Sequence, residues 1–239
     1  MLFKDIIPAS VYERTDNNLK DATGYNAEVG MKGEWKGFHF NVGLFKLVYR
    51  NRMGSLVMSG ADGQAYILKT NVGDSRNVGI EALVEGPLWD FGKLQFSWFS
   101  STAHIDARYH NAKISTGSDN KPINRNKVES VPGWTSRNGL TAAFRMVRLT
   151  VQYSYVGKTF SDAFNTPVPQ PNGAKGPVPA YSLWDINSGW QVNSRISVRA
   201  SVNNVLDKKY FTKRPTFYPG PGIWPSDGRG AVVSVGINI

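Results

Sequence analysis

RISVRASVNNVLDKKYF (Arg195–Phe211), TKRPTFYPGPGIWPSDG (Thr212–Gly228) and RGAVVSVGINI (Arg229–Ile239) form one continuous stretch at the end of the sequence. Its first part alternates strictly: Ile196, Val198, Ala200 and Val202 are interleaved with Ser197, Arg199, Ser201 and Asn203. A period of two sends one set to an apolar face and the other to a polar face, which is the pattern of a strand with two different environments. The last part repeats it, with Ala231, Val233, Val235, Ile237 and Ile239 on one side and Ser234, Gly236 and Asn238 among the residues opposite. The middle part has four prolines and three glycines and no period, so it reads as a long ordered loop.

The same grammar runs backward through the chain. Tyr25, Ala27, Val29, Met31, Gly33 and Trp35 form a strand, Lys36-Gly37 a tight turn, and Phe38, Phe40, Val42 and Leu44 the return. A loop is expected over roughly 51–64, and the strand that follows, 65–88, should break near NVGDS. After a short turn at Trp89–Lys93, the apolar phase slips around Ser100–Ala103, and a β-bulge is the expected cause. Residues 111–132 read as a long polar loop, Val147-Arg148 as a turn, 161–179 as a second long loop and Asn193-Ser194 as the last short turn. The reading is all-β, about nine antiparallel strands in up-and-down order, with short turns and long loops alternating. Membrane barrels have that asymmetry. Trp35, Trp89 and Trp190 fall at the short turns, where an interfacial aromatic girdle belongs.

Composition bounds the alternatives. No apolar run approaches the length of a transmembrane helix, but barrel strands need only about ten alternating residues, so a mean hydropathy of -0.33 does not exclude a membrane. There is no cysteine, hence no disulfide or thiolate metal site. The charge is +10, from 28 Lys+Arg against 18 Asp+Glu, which calls for an anionic partner. The cations are scattered over strands and loops, which argues against nucleic acid. His104, Asp106 and His110 match no metal-ligand spacing, and no nucleophile motif or phosphate loop is present. No enzyme, metal or cofactor is expected.

Several motifs together resemble TonB-dependent outer-membrane receptors: SVNNVLDKKYF (201–211), YPGPGIWPSDGR (218–229), TNVGDSRNVGIEALVEG (70–86) and YVGKTFSDAFNTP (155–167). The second is similar to the ferric dicitrate type. Ile239 stands where the family usually has an aromatic residue. The resemblance implies a transmembrane β-barrel of twenty-two strands, of which residues 1–239 would supply the C-terminal part. Signal peptide and plug domain are expected to lie outside this stretch, so that TonB is engaged only through the plug. The implied ligand is an anionic ferric chelate, ferric citrate or a related siderophore, with outer-membrane lipid and lipopolysaccharide around the barrel. Arg108, Arg137 and Lys158 fall on the polar phase toward the outer strand ends, and guanidinium groups suit carboxylates. Tyr218, Trp224 and Arg229 lie in the last loop; they either touch ligand or pack the loop on itself. Two other readings remain at this point, a self-contained outer-membrane pore or adhesin and a soluble carbohydrate-binding β-sandwich.

Overall fold

The computed structural model describes residues 12–59, 65–215 and 221–238. The described residues are strands, turns and loops without a helix. The strands are β1 (Tyr12–Thr15), β2 (Thr23–Trp35), β3 (Phe38–Ser59), β4 (Ala65–Asp90), β5 (Leu94–His110), β6 (Lys113–Ser115), β7 (Asn120–Pro122), β8 (Trp134–Phe144), β9 (Val147–Val156), β10 (Thr159–Phe160), β11 (Pro177–Val178), β12 (Tyr181–Gln191), β13 (Ile196–Asn203), β14 (Phe211–Lys213), β15 (Trp224–Pro225) and β16 (Gly230–Ile237). The main sheet runs β16-β13-β12-β9-β8-β5-β4-β3-β2, nine strands in chain order, and β1 adds to β4. The path does not return on itself among the described residues. Its order is a consecutive meander rather than two facing sheets, and Val233 and Val235 are 70% and 63% exposed. The sandwich reading therefore fails.

Two compact units divide the chain. The larger comprises 28–45, 79–106 and 129–239, and register explains its sheet. One row across six strands is Trp98, Leu140, Val151, Ile186, Val202 and Ala231. Four residues nearer the short turns, Leu94, Phe144, Val147, Trp190, Val198 and Val235 form another. The opposite face carries Ser97, Thr141, Thr150, Asn187 and Ser201 in one row. There the Thr141 and Thr150 hydroxyls meet at 2.8 Å. A one-residue slip would exchange the two faces, so the apolar pattern pins the register.

The smaller unit comprises 1–27, 46–78 and 107–128 and holds most of the buried apolar side chains. Leu56, Val72, Ala107, Tyr109, Ala112, Ile123 and Val128 are its core, with Ile123 1% exposed. The β6–β7 hairpin is held to β3 by Asn120, whose side chain accepts from Val57 N at 2.8 Å and donates to Val57 O at 2.6 Å. That amide takes the place of a strand neighbour. β1 pairs parallel with β4, Tyr12 with Tyr66 through Thr15 with Lys69, and the Lys69–Glu13 ion pair at 2.9 Å fastens it.

Several local expectations are corrected. Residues 51–59 continue β3, and β4 is unbroken through NVGDS from Ala65 to Asp90. Gly73 keeps that strand intact by its φ of 137° and by its lack of a Cβ, which would collide with Ala112. No bulge interrupts the β5–β8 ladder, whose register is continuous from Leu94–Phe144 to His104–Trp134. The apolar phase shifts because the covering changes: Ala107 and Tyr109 are buried at 4% and 5%, with the Arg52 guanidinium 5.3 Å from the Tyr109 ring centre. The turn placed at Val147-Arg148 is Arg145-Met146, where Arg145 has φ 54°. Met146, an apolar residue within the turn, continues the alternation of Leu140, Ala142 and Phe144 past the strand end. The segment before β2 contains β1. Lys36-Gly37 is the expected tight turn, with φ of 51° and 81° at its two positions, as a type I′ hairpin requires.

Candidate functional site

The polar face of the larger unit and the loops at its long-loop end form the candidate ligand surface. Four strands of the sheet, β9, β12, β13 and β16, feed it through loops that fold back as miniature hairpins, β10–β11 and β14–β15. Arg214 joins them. Its Nε donates to Pro177 O and its Nη1 to Gly173 O, both at 3.0 Å, while its guanidinium lies 4.8 Å from the Phe211 ring centre. The Tyr181 and Tyr210 rings stack beside this clamp with centroids 4.5 Å apart.

Asn204 sets the entry to the last loop. It takes φ 50° and is 4% exposed. Its Nδ2 donates to Lys208 O at 2.9 Å, its Oδ1 accepts from Lys208 N at 2.8 Å, and its own N–H donates to Asp185 Oδ1 at 2.7 Å. Asp207 closes the same loop, accepting from Arg229 N at 2.9 Å and Lys209 Nζ at 3.0 Å. The Arg229 amide, then Lys209, hold the Asp207 carboxyl below the usual carboxylate range.

The candidate cations divide. Arg137 is exposed on the polar face, in the row Ser101, Arg137, Ser154 and Leu183, and its side chain has no hydrogen-bond or ion-pair partner among the described residues. Lys158 follows β9 at the same strand end, with Nζ 5.0 Å from the Phe160 ring centre. Arg108 belongs to the smaller unit, where its Nη1 donates to Arg125 O at 2.9 Å. Arg229 serves its own loop, with Nη1 3.4 Å from Val205 O. Trp224 is 55% exposed in β15, opposite Lys213. Tyr218 lies outside the described residues. Among the described residues no group of three or more His, Asp and Glu is placed to hold a metal ion. The geometry thus offers a basic, donor-rich surface suited to a carboxylate or other anion.

Sequence reasoning passed over Arg214, hidden in a proline-rich stretch, and Asn204, whose left-handed backbone the adjacent Asn pair signals only weakly. It also passed over Phe99. This ring lies on the polar face across Gly139, where an added Cβ would collide with it. An aromatic residue opposite a strand glycine is the readable sign of such a close approach.

The short-turn end holds a separate cleft of about 480 Å³, lined in part by His39, Glu85, Gln95, Thr141 and Arg148. Trp35, Trp89 and Trp190 stand at this end, 66%, 58% and 51% exposed. Trp190 shares the apolar row of Val147 and Val198, and Trp89 meets Phe96 edge to face at 6.1 Å.

Residues 4–205 match the family described as TonB dependent receptor-like, beta-barrel. The chain is 24% identical over 217 residues to the probable TonB-dependent siderophore receptor PiuA of Acinetobacter baumannii, covering 87% of this chain and 26% of that protein. It is 22% identical to the ferric enterobactin receptor PirA of Pseudomonas aeruginosa, covering 92% and 28%. Among solved structures, PiuA superposes with a TM-score of 0.66 at 21% identity, over 89% of this chain and 28% of that one. The ferric citrate transporter FecA in its unliganded form gives 0.66 at 18% identity, over 88% and 30%. The chain thus spans between a quarter and a third of the length of these relatives. With the family matched over residues 4–205 and a consecutive antiparallel sheet split into apolar and polar faces, the chain belongs to the TonB-dependent receptor β-barrel family.

Proposed function

We propose that this chain is the C-terminal part of the barrel wall of an outer-membrane receptor that takes up an anionic iron chelate in a TonB-dependent manner, ferric citrate or a related siderophore. Its role is transport rather than catalysis. The apolar face of the sheet meets lipid, with Trp35, Trp89 and Trp190 at one interface, and the polar face lines the lumen. The observation that carries the ligand class is Arg137, an exposed guanidinium without a side-chain partner on the polar face, three residues into β8 from the long-loop end. Lys158, just after the neighbouring strand β9, adds charge at the same strand end, and Arg108 and Trp224 are further candidates. TonB contacts belong to a plug domain outside this stretch.

The test is radio-iron uptake from ferric citrate and from a panel of siderophores, by cells that depend on the intact receptor. Wild type should restore uptake of one anionic chelate, and Arg137→Ala should weaken its binding about tenfold, the loss of one charge-assisted contact. Equal binding by Arg137→Ala contradicts the assignment of Arg137. Growth on haem or cobalamin with no ferric chelate transported contradicts the ligand class.

A further inference from the structure

The short-turn rim carries a pattern that chelate uptake does not use. Its turns are Lys36-Gly37 between β2 and β3, Phe91–Lys93 between β4 and β5, Arg145-Met146 between β8 and β9, and residues 192–195 between β12 and β13. Each carries one exposed cation: Lys36, Lys93, Arg145 and Arg195. Each cation accompanies an exposed apolar group. Lys36 Nζ sits 4.8 Å from the Trp35 ring centre, and the Arg145 guanidinium 5.4 Å from that of Phe144. Phe91 is 68% exposed two residues before Lys93, and Trp190 is 51% exposed at the end of the strand leading to Arg195.

Backbone hydrogen bonds run along the rim from the Phe91–Lys93 turn to the chain's last strand. Arg145 N donates to Lys93 O at 3.3 Å, Gln191 N to Met146 O at 2.9 Å, and Asn238 N to Arg195 O at 2.9 Å. Acidic neighbours do not neutralise it. Asp90 accepts from Gly92 N at 2.8 Å and Gln95 Nε2 at 3.2 Å, and Glu34 lies 3.8 Å from His39. None of the four cations forms an ion pair among the described residues.

We infer that this rim is a binding surface for anionic glycerophospholipid, each turn holding the phosphodiester of one headgroup. A ring at the depth of the hydrocarbon boundary with a cation stacked against it presents apolar surface to the acyl chain and positive charge to the phosphate. Adjacent hairpins are two strand spacings apart, about 10 Å, so separate headgroups face separate turns. A folded acidic protein would be served better by clustered charge. Each cation near the surface contributes about 1 kcal/mol toward anionic lipid, about a fivefold local enrichment. The inference rests on the reading that this rim lies at the membrane, and the test separates the two.

The sequence has no cysteine, so Met146→Cys in the intact receptor, labelled with bimane, reports on one turn; the Met146 backbone bond survives the change. Vesicles of phosphatidylcholine containing phosphatidylglycerol are prepared with bromine on the chains of either lipid. Quenching should be about fivefold more effective, per mole, from brominated phosphatidylglycerol than from brominated phosphatidylcholine. The preference should fall in high salt and in the combined variant Lys36→Gln, Lys93→Gln, Arg145→Gln and Arg195→Gln. Equal quenching by the two lipids, or a preference that survives both salt and neutralisation, overturns the lipid site while leaving the rim at the membrane. No quenching by either overturns both readings. The salt series in the unsubstituted turns decides the matter if the combined variant does not assemble.

Discussion

At the scale of single residues, polar side chains hold the loops that would meet ligand. Asn204 supplies two hydrogen bonds to Lys208 and adopts a left-handed backbone that few other residues tolerate. Asn204→Ala should cost about 2 kcal/mol locally, from lost bonds and backbone strain. Limited trypsin digestion of the intact receptor should then cleave after Lys208 or Lys209 faster than in wild type, and an unchanged rate would deny Asn204 this role. Asp207 gives the loop a pH dependence. Its carboxyl is depressed first by the Arg229 amide and then by Lys209, so its stabilising effect is fully present above the ordinary carboxylate range and disappears as pH falls through its own lowered pKa. Exchange of the Arg229 amide, corrected for intrinsic rate, should accelerate in that acid window. Asp207→Asn should flatten the response, and an identical response in both would refute the link. Little of this was readable in advance, because capping by Asn204 and clamping by Arg214 depend on carbonyls brought near only by the finished loops.

Among the elements, faces were legible and boundaries less so. Val151, Val198 and Val233 share one face and Gln152, Arg199 and Ser234 the other, as alternation foretold, because register transmits a period of two across every ladder. Arg145-Met146 escaped notice since an apolar residue in a turn continues the alternation. The extension of β3 through residues 51–59 escaped because Leu56, Val57 and Met58 run together without alternation, in a segment covered by Asn120 and its hairpin. The Phe99–Gly139 contact supplies an element-scale prediction. Gly139→Ala forces the Phe99 ring out of its seat and should lower stability by about 2 kcal/mol. Gly189→Ala on β12, where a Cβ has open space, should be close to neutral. Denaturant midpoints of the reconstituted receptor compare the two, and equal effects would show that the contact carries no packing energy.

For the whole molecule, the strand path leaves β2 and β16 as its outer members, and every described residue in both is exposed. Edges of that kind need partners wherever water is excluded, in keeping with a wall that belongs to a wider barrel. The family was legible because several spaced motifs agreed with the strand pattern. The ligand was less so, since Arg108 and Arg229 turned out to donate to loop carbonyls. The central claim is that one face of this sheet meets lipid and the other water. Single thiols placed in turn at Leu149, Thr150, Val151 and Gln152 along β9 of the intact receptor, labelled with a fluorophore, test it directly. Brominated lipid should quench the probes at Leu149 and Val151, and aqueous iodide those at Thr150 and Gln152. Quenching without alternation, or probes at Leu149 and Val151 shielded from lipid and water alike, would contradict the account.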